Sequence, residues 1–163
     1  MPEPEPWLRG PIPGVHPLVM PVFFSFAQVR EDLKHYTAGV DDQVWVPVHG
    51  ASLGFHLKHM AGSVDRLTTY LLGGQLSSVQ LDFLRREGEQ TGDLAELLHA
   101  LDSQLTETEA RLRQIHPNTL YEGRSVGRRA LPTTVIGLLV HLCEHTQRHL
   151  GQAITLAKML RQQ

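Results

Sequence analysis

His141-Leu-Cys143-Glu144-His145-Thr-Gln-Arg148-His149-Leu-Gly-Gln152 is the stretch on which the reading of this chain turns. It lies in a segment, Thr133 to Arg161, that contains no proline and whose apolar residues recur at helical spacing. Histidines follow one another there every four residues. On a helix, i/i+4 neighbours share a face with Cβ atoms about 5–6 Å apart. Two imidazoles at that separation can grip one metal ion. His141 and His149 cannot act together, being roughly 12 Å apart along the axis. The choice lies between the 141/145 and the 145/149 pairs, and His145 belongs to both.

The apolar pattern bears on that choice. At roughly 100° per residue, Leu138, Leu142, Ala153, Leu156 and Leu160 fall on one narrow stripe. His145 and His149 lie inside it, and His141 sits on its shoulder, roughly 60° off. Two imidazoles in a core-facing stripe are costly unless their ring nitrogens find partners, whether neighbouring side chains or an ion.

Upstream, the first 17 residues carry six prolines and are expected to run extended over the surface, with a single domain over 18–163. From about Leu18, the spacing of Val22, Phe26, Val29, Leu33 and Tyr36 predicts an amphipathic helix to about Thr37. Trp45-Val-Pro47-Val-His-Gly50 reads as an extended connection. Ser52 is a plausible N-cap for a second helix ending at Leu72, before Gly73-Gly74. Its stripe is Leu53, Leu57, Met60, Val64, Leu67 and Leu71. His56 and His59 flank that stripe at i/i+3, with His59 roughly 120° from its centre. A short helix is expected from Ser77 to Arg86. Asp93 with Glu96 then resembles a capping box, opening a third long helix that Pro117 closes. Asn118 to Pro132 reads as a long loop carrying Arg124, Arg128 and Arg129. Four long amphipathic helices with one short extra helix predict an all-α four-helix bundle.

Bulk properties narrow the function. A chain of 163 residues fits one domain, and 41% hydrophobic with 20% charged residues is ordinary for a soluble globular protein. A net charge of −2 gives no general field for nucleic acid or anionic membrane. The single cysteine, Cys143, excludes an internal disulfide and a thiolate-rich metal site, and it fits a reducing cytoplasm. The start, Met1 to Trp7, has no basic and apolar regions of a signal peptide, and no apolar run reaches the 18 or so residues of a membrane span.

The histidine-rich helix supplies two nitrogen ligands, and the second helix offers a third through His59 or His56. Three imidazoles leave a coordination position for water or substrate, as in catalytic sites. Imidazole suits zinc, nickel, copper or iron, and the sequence does not choose among them. Glu144, the carboxylate next to His145, could orient a ligand or take a proton. The same letters, His141-Leu-Cys-Glu144-His145, also match the inverted zinc-peptidase pattern, which would make Glu144 a general base and leave His149 without a role. A helical interaction or stress protein with packed histidines and no ion is a further alternative.

Two segments together resemble a known family. Ser52-Leu-Gly-Phe-His56-Leu-Lys-His59-Met-Ala-Gly-Ser-Val-Asp65-Arg66-Leu, followed by Leu-Leu-Gly-Gly, is similar to the second-helix signature of the DinB-like proteins, the DinB/YfiT group of small metal-binding bundles. Pro132 through His141, running into Glu144-His145 and Arg148-His149-Leu-Gly-Gln152, resembles the fourth-helix signature, and the Trp45-x-Pro47 connection fits as well. The resemblance covers most of the chain from about residue 17. It implies a bundle that binds a divalent ion through His59, His145 and His149, with His56, His141 and Gln152 as supporting or cleft residues. It further implies metal-assisted chemistry with a low-molecular-weight thiol, a thiol S-transferase being the leading expectation and a metal-dependent hydrolase the alternative. Arg124, Arg128 and Arg129 would then be placed to hold the thiol's carboxylates. The expected partners are a small-molecule substrate and a second copy in a homodimer, in the cytoplasm, with neither nucleic acid nor membrane.

Overall fold

Helix formation begins where the proline-rich start ends. The computed structural model describes residues 3–162, and its first helix, α1, runs Met20–Tyr36 with Pro21 in the opening turn, where a missing N–H costs least. Val22, Phe26, Val29 and Leu33 form its buried face. The preceding segment contains a single 3-10 turn, Pro6–Leu8. It is fastened to α1 by a bidentate pair, in which Arg9 Nη1 and Nη2 donate to Glu31 at 2.5 and 2.8 Å. Val15 and Val19 are buried against the bundle.

Each later helix starts on a side-chain cap. Ser52 accepts from the Phe55 amide at the head of α2, Leu53–Leu71. Ser77 and Gln80 form a reciprocal capping box on α3, Ser78–Arg86, and Asp93 and Glu96 do the same on α4, Leu94–Leu112. Thr134 accepts from the Gly137 amide at the start of α5, Val135–Leu160. Such caps each stabilise a helix by about 1 kcal/mol and fix where it begins. α2 ends at Leu71, and Gly73 takes a positive φ of 81° to turn the chain away.

The long loop expected between Asn118 and Pro132 is folded. After a 3-10 turn at Pro117–Thr119, β1 (Gly123–Val126) pairs antiparallel with β2 (Leu131–Thr134), Gly123 opposite Thr134 and Val126 opposite Leu131. Gly127 at φ +71° and Ala130 at φ +48° make the turn. Pro132 masked this hairpin in the sequence, since a strand proline is tolerated only on an edge, and both strands of a two-stranded ladder are edges.

The four long helices form a ring in which α5 and α4 each lie against both α1 and α2. Phe26, Leu57, Met60, Leu101, Leu105, Leu142 and Leu160 fill the centre and are almost wholly buried. α3 lies outside the ring, packed across α2. Every one of α3's own residues keeps some exposure, and the first fully buried position is its C-cap, Glu87. Among the described residues, no helix is long and apolar enough to cross a membrane.

Candidate metal centre

α2 and α5 run side by side, and the histidines meet along their seam. His145 and His149 stand one turn apart on α5 with ring centroids 4.6 Å apart, as their spacing predicts. His59 on α2 faces both, at 5.1 Å from the His145 ring and 4.4 Å from that of His149. One nitrogen from each ring lies within 4.8 Å of the other two, close enough for one ion to be shared. His59 Nε2 and His145 Nε2 are 3.4 Å apart.

The helical-wheel argument placed His59 far from the α2 stripe, yet it is half-buried at the centre of the cluster. The stripe marks only the side of α2 that faces the middle of the ring. α2 also meets α4 on one flank and α5 on the other, and α3 covers it from outside. Positions off the stripe are therefore enclosed too, and Gly62, Ser63 and Arg66 are buried with it.

The far nitrogens of His59 and His149 have partners. Glu87 Oε2 accepts from His59 Nδ1 at 2.8 Å. His56 Nδ1 lies 3.0 Å from His149 Nδ1, so one ring donates and the other accepts. If His149 donates, its Nε2 is left bare. Ser63 Oγ lies 3.2 Å from His59 Nε2, and Phe55 stacks on the His59 ring at 5.6 Å. The donor set is thus three imidazoles, with the far nitrogens of His59 and His149 held by neighbours, an arrangement that fixes tautomer and ring direction in metal sites.

Electrostatics agree with that geometry. Burial first, and then the neighbouring imidazoles, push His145 and His149 down to about 4, and burial and His59 also lower His56. His145 and His149 are therefore neutral at pH 7, with a lone pair available to a cation. A divalent ion would supply the positive charge that this cluster of bare nitrogens lacks, and the donor set fits one.

Other residues singled out in the sequence take different places. His56 is buried against His149, whereas His141 is exposed, bonded to Glu144 at 3.0 Å through Nδ1. Its ring stands 5.4 Å from that of His145 but lies outside the group of three. Glu144 is exposed and also pairs with Arg148, so the inverted-peptidase pairing is not the one the fold assembles. Gln152 is exposed on α5, three residues beyond His149. Arg124 is committed elsewhere: its Nε donates to the Leu71 carbonyl at 2.7 Å, and its other nitrogens bond Gly123 and Glu122. Arg128 and Arg129 lie exposed in the hairpin turn, and that hairpin enters α5 ten residues before His145, about 15 Å along the axis. Cys143 is half-buried, and burial pushes its thiol up to about 11.

Glu87 escaped sequence reasoning altogether. It has no periodic position, and as a glutamate at the end of a short polar helix before Gly88 it is indistinguishable from a solvated residue.

A family model, the DinB superfamily, matches residues 25–153, a span that contains all three clustered histidines. None of the curated proteins matches the chain.

Proposed function

The chain belongs to the DinB superfamily, and on that footing we propose that His59, His145 and His149 hold a divalent metal ion and that the protein is a metal-dependent enzyme acting with a low-molecular-weight thiol. The observation that carries the reading is the convergence of three imidazoles on one point, two of them kept neutral by burial. An ion held by three protein ligands keeps a position open and favours the thiolate over the thiol in a molecule that enters it.

The chain's own residues account for the rest of the reading. Glu87 and His56 lie against the Nδ1 atoms of His59 and His149 and hold both rings in direction. Phe55 covers one side of His59 and limits water there. Cys143, with its thiol pushed up to about 11, is protonated at neutral pH and cannot be the nucleophile, which supports a thiol brought from outside. Arg148, exposed and paired with Glu144, is close enough to His149 for its charge to lower that histidine.

The experiment is cobalt substitution. Adding small cellular thiols one at a time to the cobalt protein is expected to produce a sulfur-to-metal absorption band with at least one of them. A protein that binds cobalt, shows no such band with any thiol and hydrolyses esters or amides would instead be a metal-dependent hydrolase. A protein that takes up neither zinc nor cobalt would refute the metal centre itself.

A further inference from the structure

We infer that Glu87 is the positioning residue for His59, and that α3 with the turn after it is fastened to the bundle in order to deliver this carboxylate; the inference rests on the metal centre proposed above. Glu87 is the C-cap of a helix outside the four-helix ring, yet its side chain is only 6% exposed. A buried carboxylate is costly unless both oxygens find partners. Oε1 lies 2.6 Å from Arg66 Nη1 on α2, an ion pair in which neither atom makes a directed hydrogen bond. Balancing Arg66 requires no more than that oxygen. Oε2 reaches the ring of His59 instead.

That contact decides which nitrogen faces the cluster. A carboxylate accepts and does not donate, so a neutral His59 carries its proton on Nδ1 and presents a bare Nε2. Nε2 is the atom that stands 3.4 Å from His145 Nε2. The carboxylate thus selects the tautomer able to bind an ion and, by its charge, makes the ring a stronger donor.

The turn that carries Glu87 is held from three directions. Lys58, next to His59 on α2, donates through Nζ to the Glu89 carbonyl at 2.7 Å, to Thr91 Oγ1 at 3.1 Å and to the Arg86 carbonyl at 3.4 Å. Its ammonium also lies 5.7 Å from the centre of the Trp45 ring, and Trp45 Nε1 donates to the Gly92 carbonyl at 2.7 Å. On the inner side Gly62 leaves the space that Phe83, Arg66 and Glu87 fill. Residues 58, 59, 62 and 66 of α2 therefore all meet residues 83–92, and three of them, His59, Gly62 and Arg66, lie against the Glu87 carboxylate itself.

The test compares zinc affinity, by titration, in wild type, in Arg66→Met and in the charge-balanced double variant Glu87→Leu/Arg66→Met, which leaves no lone buried charge. The double variant is expected to bind zinc about 10–100-fold more weakly, the usual effect of losing an outer carboxylate. Arg66→Met alone, with Glu87 still on His59, is expected to bind much more tightly than the double variant. Restoring an acceptor without charge, as Glu87→Gln in the Arg66→Met background, is expected to recover part of the loss. Equal zinc affinity in wild type and a folded double variant overturns the inference and leaves the metal centre standing. A wild type that binds no zinc removes both. Should the double variant not fold, nitrogen-15 spectra of zinc-loaded wild type still decide. A solvent-protected proton on His59 Nδ1 is expected, and zinc bound at Nδ1 overturns the assignment.

Discussion

Replacing Gly62 by alanine is predicted to weaken ion binding without touching a ligand. In the middle of α2 the change ordinarily favours the helix by about 1 kcal/mol. Here a Cβ would stand 2.5 Å from Phe83 Cε1, 2.6 Å from Glu87 Oε1 and 2.8 Å from Arg66 Nη1. Ordinary contact begins at 3.4 Å, so the carboxylate must retreat by roughly 0.8 Å. A retreat of that size along the bond stretches the 2.8 Å contact with His59 to about 3.6 Å, which is no longer a hydrogen bond. Overpacking of this kind costs about 1–3 kcal/mol, and the propensity gain offsets part of it, leaving a net loss of about 0–2 kcal/mol. Zinc affinity is expected to fall about 10–100-fold, or about 1.4–2.7 kcal/mol, as when an outer partner is lost. Calorimetric zinc titration measures the second quantity, and urea unfolding of the metal-free protein the first. A Gly62→Ala protein that unfolds more easily yet binds zinc as tightly as wild type would refute the reasoning, because the strain would then bypass Glu87.

The ligand set predicts that His145→Ala and His149→Ala abolish tight zinc binding while His141→Ala retains it; loss in His141→Ala with retention in His149→Ala would return the inverted-peptidase pairing. For the metal-free protein, His145 and His149 have folded values near 4 against about 6.5 for unperturbed histidine, so below about pH 6.5 the unfolded chain binds protons that the fold does not. Their contribution is full above that pH and is lost as pH falls towards 4. Melting temperature is therefore expected to drop between pH 7 and 4.5 in a way that the His145→Leu/His149→Leu variant largely lacks; equal slopes in the two proteins would remove the assignment. Cys143, pushed up to about 11, is expected to react with iodoacetamide at pH 7.5 far more slowly than a free thiol, measured by mass spectrometry, and Cys143→Ala to bind zinc as wild type does.

Much of this fold was readable because its punctuation is local. Ser52, Ser77 and Asp93 each cap the helix they precede, and such caps act within three residues, whereas the last helix is capped by Thr134, one residue after the Thr133 that its sequence suggests. His145 and His149 were readable for the same reason, as one helix holds both. His59 required the family resemblance, because a wheel drawn for one helix assumes one covering direction and α2 is covered from three. The hairpin at residues 123–134 was lost behind Pro132, and four-residue strands are too short to show a period. Glu87 could not be found at all. Its role depends on how α3 lies across α2, and no local pattern encodes that placement.

The two sides of the candidate centre are far apart in the chain, with His59 and His145 separated by 86 residues. An ion gripping both binds the docked bundle and not the unfolded chain, so it stabilises the folded state by mass action, in proportion to its affinity and concentration. The order of events follows. Before the bundle forms, an ion meets only the local run His141, His145 and His149, and can settle on a pair one turn apart once that helix exists. The site including His59 arises only after α2 and α5 have docked. Added early in refolding, zinc therefore has nothing to nucleate and can hold the chain in a partial arrangement; added late, it locks a finished one. Refolding with zinc present from the start is expected to be no faster than refolding without it, while unfolding of the loaded protein is slower.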